Sequence, residues 1–135
     1  MPTAVRGGSG AGTTTSYIAW GGYPGAYDTV TWNGSSWTEV TAMTVNRRMF
    51  QESGTSDTSA MAAAGTYPPG VRLTICEQWN GTSWTEVADT SATKEGGSGG
   101  GTTTLALSVG NESPNNGASE EWSGAPAVVK TVTVS

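Results

Sequence analysis

Side chains able to do chemistry are few in this sequence, and they are not arranged as catalytic sets. The 135 residues include no histidine, which removes the commonest general base and metal ligand. Cys76 is the one cysteine, so a single chain can form neither a disulfide nor a thiolate cluster. A small residue in a strand is its expected role. Serine and threonine are abundant, but no histidine, H-E-x-x-H motif or Walker loop accompanies them. Two carboxylates can hydrolyse a glycoside when they flank one bond. Glu39 and Glu86, however, occupy the same place in a repeated segment, which reads as structural usage. The glycine run 96–101 lacks both the Gly-Lys-Ser/Thr ending and the following helix that phosphate binding needs. The expectation is therefore a non-enzyme with no metal and no cofactor.

Aromatic and cationic side chains form the better binding set. Indole and phenol faces stack on the C–H surfaces of sugars, and guanidinium groups donate to hydroxyls. Trp20, Tyr23 and Tyr27 lie close in sequence, and Arg47-Arg48 is the only adjacent pair of cations. Tyr67 lies in a loop equivalent to that of Tyr23. Trp32, Trp37, Trp79, Trp84 and Trp122 recur with the repeat and read instead as core between units. Trp20 differs, because alignment on the nearby glycines sets Ala64 and Val109 in its place. The loops after those glycines, 23–26, 66–70 and 111–117, vary in length while the scaffold repeats. Variation on a repeated scaffold is where binding specificity usually sits.

The formal net charge is −5, and the six Lys and Arg are dispersed. That argues against a nucleic-acid partner. No run of 18 apolar residues exists to cross a membrane as a helix. Residues 1–12 lack the apolar stretch of a signal peptide. A hydrophobic content of 35% with 20 glycines overlaps with disordered chains, but six tryptophans and four tyrosines fall at regular intervals. Regular aromatics between Gly-rich turns indicate short strands.

The regularity is a repeat. WNGSSWTEV at 32–40 returns as WNGTSWTEV at 79–87, an offset of 47, and a degenerate WSGAPAVVKTV begins at Trp122. GTTTSYIAWGG at 12–22 matches GTTTLALSVGN at 101–111, with the looser GTSDTSAMAAAGT at 54–66 between them. RGGSGAGT, RMFQESGT and EGGSGGGT precede these segments at 6–13, 48–55 and 95–102. One repeat domain thus fills 1–135, with units at about 6–45, 48–92 and 95–135. Within a unit the pattern predicts four strands: a Gly-rich first strand, an apolar second, and an alternating pair joined at Asn-Gly. That dipeptide predicts a two-residue type I′ turn with positive φ at both positions.

These residues carry a family resemblance. The apolar run ending in Gly-Gly at 17–22, then Tyr27 and Trp32, resembles the kelch blade pattern. The W-N-G-T-S-W-T-E hairpin at 79–86 is similar to kelch-like repeats of phage tail and virion-associated proteins. The resemblance implies an all-β fold of three four-stranded antiparallel blades of a β-propeller. It also implies a structural or adhesive role on a virion or outside the cell, with other virion proteins or a surface glycan as partners. A small oligomeric lectin is the alternative function, and a stacked β-solenoid or fibre the alternative architecture. Propellers typically have four to eight blades. Three blades leave two open faces, which either self-association, most simply a twofold dimer giving six blades, or further blades of a longer chain would cover; the common phase of the repeats favours self-association.

Overall fold

The computed structural model describes residues 6–24, 28–48, 50–67, 69–110 and 119–123, and the backbone of 129–132. Among them the protein is all-β, without helices. Strands β1 (Ser9–Gly12), β2 (Tyr17–Trp20), β3 (Thr29–Trp32) and β4 (Trp37–Val40) form a first antiparallel sheet in chain order. The second sheet begins with β5 (Gln51–Ser56) and β6 (Ser59–Ala63). A small hairpin, β7 (Thr66–Tyr67) and β8 (Val71–Arg72), follows, and β9 (Cys76–Trp79) and β10 (Trp84–Val87) complete the sheet. The third sheet runs β11 (Ser98–Gly101), β12 (Leu105–Val109), β13 (Ser119–Ser123), β14 (Val129–Val132).

Strand alternation sends successive side chains to opposite faces. Ile18, Trp20 and Ala11 of the first sheet meet Ala60, Ala62, Trp79 and Trp84 of the second, with Met43 and Phe50 filling the junction. Trp20 stacks on Phe50 at 6.2 Å between centroids and lies 5.4 Å from Trp84. The Trp84 indole N–H donates across the junction to the Thr29 hydroxyl at 3.0 Å. The other face of the second sheet packs Met61, Ala63 and Cys76 against Ala106 and Trp122 of the third. Burial of each such large side chain stabilises by roughly 2–3 kcal/mol.

The first strands of the three sheets lie abreast, β5 between β1 and β11. Small residues make this approach possible. A Cβ on Gly99 would collide with the Glu52 backbone, its nitrogen only 2.8 Å away.

The register corrects two sequence expectations. Trp20 lies opposite Ser9, Ala63 opposite Gln51 and Val109 opposite Ser98, so Ala63, not Ala64, stands in the place of Trp20. Ala64 takes the place of Gly21: its N–H donates to the Ile75 carbonyl at 2.9 Å, as Gly21 does to Asp28 at 3.0 Å. Both adopt positive φ, 57° for Ala64 and 67° for Gly21. Alignment on glycine missed this because an alanine here accepts the left-handed conformation, so Gly21-Gly22 corresponds to Ala64-Gly65 rather than to Gly65-Thr66.

The Asn-Gly hairpins are also not two-residue turns. Trp32 pairs with Trp37, leaving residues 33–36 as a four-residue loop, and only Gly34 has positive φ. The Asn33 carboxamide oxygen accepts from the N–H groups of Ser35 and Ser36, each at 3.0 Å. Asn80 repeats this with Thr82 and Ser83. The asparagine side chain closes the turn, so its backbone need not enter the left-handed region.

A Cβ at Gly21 would lie 2.5 Å from the Phe50 ring and 2.9 Å from the Arg47 carbonyl. Gly21→Ala combines left-handed strain with overpacking, each costing about 1–2 kcal/mol. Urea unfolding of this variant is expected to show a loss of about 2 kcal/mol or more.

Candidate functional site

Residues between the sheets are built for anchoring. The segment after β4 carries Thr44 and Arg47, and Glu77 of β9 receives both. The Arg47 guanidinium meets the Glu77 carboxylate at 2.6 Å with both side chains fully buried. Thr44 adds its N–H at 2.8 Å and its hydroxyl at 2.6 Å to the other carboxylate oxygen. Arg47 also donates to the Ala64 and Ile75 carbonyls. Burial pulls the Arg47 guanidinium below its ordinary range, and the Glu77 carboxylate opposes that shift. The segment after β10 repeats the device: Lys94 pairs with Glu120 at 3.3 Å, and Ser91 donates through N–H and hydroxyl, each at 2.9 Å.

Trp20 and Arg47 therefore leave the candidate ligand set. Trp20 is 2% exposed, stacked on Phe50 and tilted against Trp84, and Arg47 is fully buried against Glu77. Neither offers a surface to a ligand. Tyr27 lies outside the described residues. Tyr23 and Tyr67 are exposed, Tyr23 just after β2 and Tyr67 not on a loop but in β7, paired with Val71 of β8. Arg48 is half-buried beside them, its backbone paired with Thr66 through N–H···O distances of 3.0 and 2.8 Å.

Arg6 joins this end of the molecule. It pairs by backbone with Tyr23 at 3.1 and 2.9 Å. Its guanidinium carbon lies 5.3 Å from the Tyr23 ring centroid, and that of Arg48 lies 5.8 Å from the same ring. Two cations thus share one exposed aromatic ring in a chain of net charge −5. Each contact is worth about 0.5–1 kcal/mol at an exposed site. Chemically, the cluster offers fixed donors beside an aromatic face, a combination suited to hydroxyl- or carboxylate-bearing ligands. The sequence held the signal for Arg6, since it aligns with Arg48 at the start of its repeat. The anchors were also written there, as Thr44-x-x-Arg47 and Ser91-x-x-Lys94.

The five repeating tryptophans divide. Trp79, Trp84 and Trp122 are buried between sheets. Trp32 and Trp37 are half-buried on the outward face of the first sheet, with rings 5.4 Å apart and Tyr17 edge-on to Trp37 at 6.4 Å. A groove of about 560 Å³ runs along this face, past Tyr17, Ala19, Val30 and Trp37. The outward face of the third sheet exposes Leu105, Leu107 and Val109 beside a groove of about 500 Å³. No protein-family model matches the chain, and no curated protein matches it.

Two tests follow from the anchors. Glu77→Ala leaves Arg47 buried and unpaired, so unfolding should show a loss of about 3–5 kcal/mol. Exposed Glu86→Ala on the same sheet should cost less than about 0.5 kcal/mol. Burial also pushes the Cys76 thiol up from 9.0 to about 11. The thiol ionises first in the unfolded chain, so its contribution is intact below about pH 9 and is lost as pH rises towards 11, by about 2 kcal/mol. Unfolding measured across that range should show this slope, and Cys76→Ala should flatten it.

Proposed function

We propose that the chain is a non-catalytic structural or adhesive module made of three β-propeller blades, working on a virion or outside the cell. Two copies associate to complete a ring of six blades. The observation that carries this reading is the repeated sheet. Three four-stranded sheets share one strand order from edge to edge and stack face to face with their first strands abreast. Each junction is filled by side chains from both neighbours. The outermost sheets each retain an apolar or aromatic face, which association would cover. Light scattering at micromolar concentration is expected to give twice the chain mass, and the mass of a single chain would overturn the reading.

A second reading, a carbohydrate-binding propeller, draws on the Arg6–Tyr23–Arg48 cluster. An exposed ring flanked by two guanidinium groups favours sugars that bear a carboxylate. A glycan array should show saturable binding to acidic sugars. Tyr23→Ala and Arg48→Ala should each weaken it at least tenfold without changing the folded mass. Absence of binding to any array member would leave the structural module as the whole function.

A further inference from the structure

We propose that the outward face of the third sheet docks head to tail on the outward face of the first sheet of a second copy. The inference rests on the propeller reading above and names the surfaces that would join. The two internal junctions serve as its template. In each, the second strand of one sheet meets the second and third strands of the next, and at the first junction the fourth as well. Ile18 and Trp20 do this at the first junction, Met61 and Ala63 at the second. By register, Leu107 and Val109 hold those same positions on the third sheet, at 47% and 41% exposure. On the receiving side, Tyr17, Ala19, Trp32 and Trp37 hold the positions of Ala60, Ala62, Trp79 and Trp84. Each open face thus carries the half of a junction that the other lacks.

A hydrogen-bonding position follows the same logic. Thr29, Cys76 and Ser119 are register equivalents, opposite Trp20, Ala63 and Val109. Thr29 accepts from the Trp84 indole of the next sheet at 3.0 Å. Cys76 faces the third sheet, whose hairpin segment has no second tryptophan. Ser119 restores a hydroxyl on the third sheet, and Trp37 stands at the Trp84 position of the first. The hydroxyl occurs where the neighbour brings an indole, and a thiol where it does not.

Charge points the same way. Glu77 and Glu120 each take a buried cation from the segment that crosses their junction. The equivalent position in the first sheet is Val30, 7% exposed. A junction between separate chains has no crossing segment to deliver a cation, and Val30 requires none. Two chains joined twice in this way form a ring within the common range of four to eight blades.

Charge-swap complementation tests the pairing. Val109→Lys and Trp37→Glu each place a charge at both junctions of a homodimer, so each variant alone should fall to single-chain mass, with affinity lowered at least tenfold. An equimolar mixture should regain the doubled mass, because one junction is then unmodified and the other carries opposite charges. Circular dichroism confirms folding. If either variant unfolds, Leu107→Lys with Ala19→Glu repeats the test. A monomeric unmodified chain would overturn both the propeller assembly and this inference. A dimer indifferent to the substitutions, or variants that dissociate and are not rescued by mixing, would overturn the head-to-tail pairing while leaving self-association intact.

Discussion

The second sheet has two apolar faces, and neither can be left in water. Ala60, Ala62, Trp79 and Trp84 point one way; Met61, Ala63 and Cys76 point the other. A sheet that alternates in this manner must be covered on both sides, unlike the common antiparallel sheet with one wet face. The first and third sheets are its covers. Glycines and alanines along the first strands let the sheets converge there, while indoles fill the space between the outer strands. The stack therefore narrows along one edge and widens along the other. The same alternation turns one face of each covering sheet outward.

Buried charge fixes how the sheets meet. Apolar packing alone tolerates sliding between smooth faces rich in alanine. The Arg47–Glu77 and Lys94–Glu120 pairs do not, because displacement would leave a charge without its partner in a site closed to water. The net stabilisation from such pairs is small or absent, since desolvation offsets the attraction. Their effect is on register. Each draws the connecting segment across the top of the next sheet, where Gly22 and Gly65 donate to the carbonyls of Arg47 and Lys94 at 3.3 and 3.0 Å. The loop end that holds Arg6, Tyr23 and Arg48 is positioned by the same ties, because Arg48 follows directly on Arg47.

Much of this architecture could be read in the chain. The repeated W-N-G hairpins, the Gly-rich leading strands and the offset of 47 gave the strand positions closely, since alternation and turn chemistry are local properties. What failed depended on three-dimensional context. Trp20 looked singular because it occurs once, yet it is buried between the first and second sheets against Phe50 and Trp84. Arg47 and Arg48 looked like one cationic pair, but strand-like alternation separates them, one inward to Glu77 and one towards Tyr23. The left-handed conformation of Ala64 was invisible because alanine rarely adopts it.

Binding and assembly use different parts of the chain, and the repeat explains how. The faces are constrained by their neighbours, so their residues follow the repeat even where they are exposed. Leu107 and Val109, apolar at 47% and 41% exposure, hold the register positions of Met61 and Ala63, which are buried between the second and third sheets. The loop end has no such constraint. Tyr23 and Thr66 hold the same place relative to the leading arginine of their units, Arg6 and Arg48, yet only the first supplies an aromatic ring. A feature that breaks the repeat occurs once per chain and can be specific, whereas one that keeps it serves packing. By this criterion Trp32 and Trp37 of the first sheet keep the repeat despite their partial exposure, whereas Tyr23 with its two arginines breaks it.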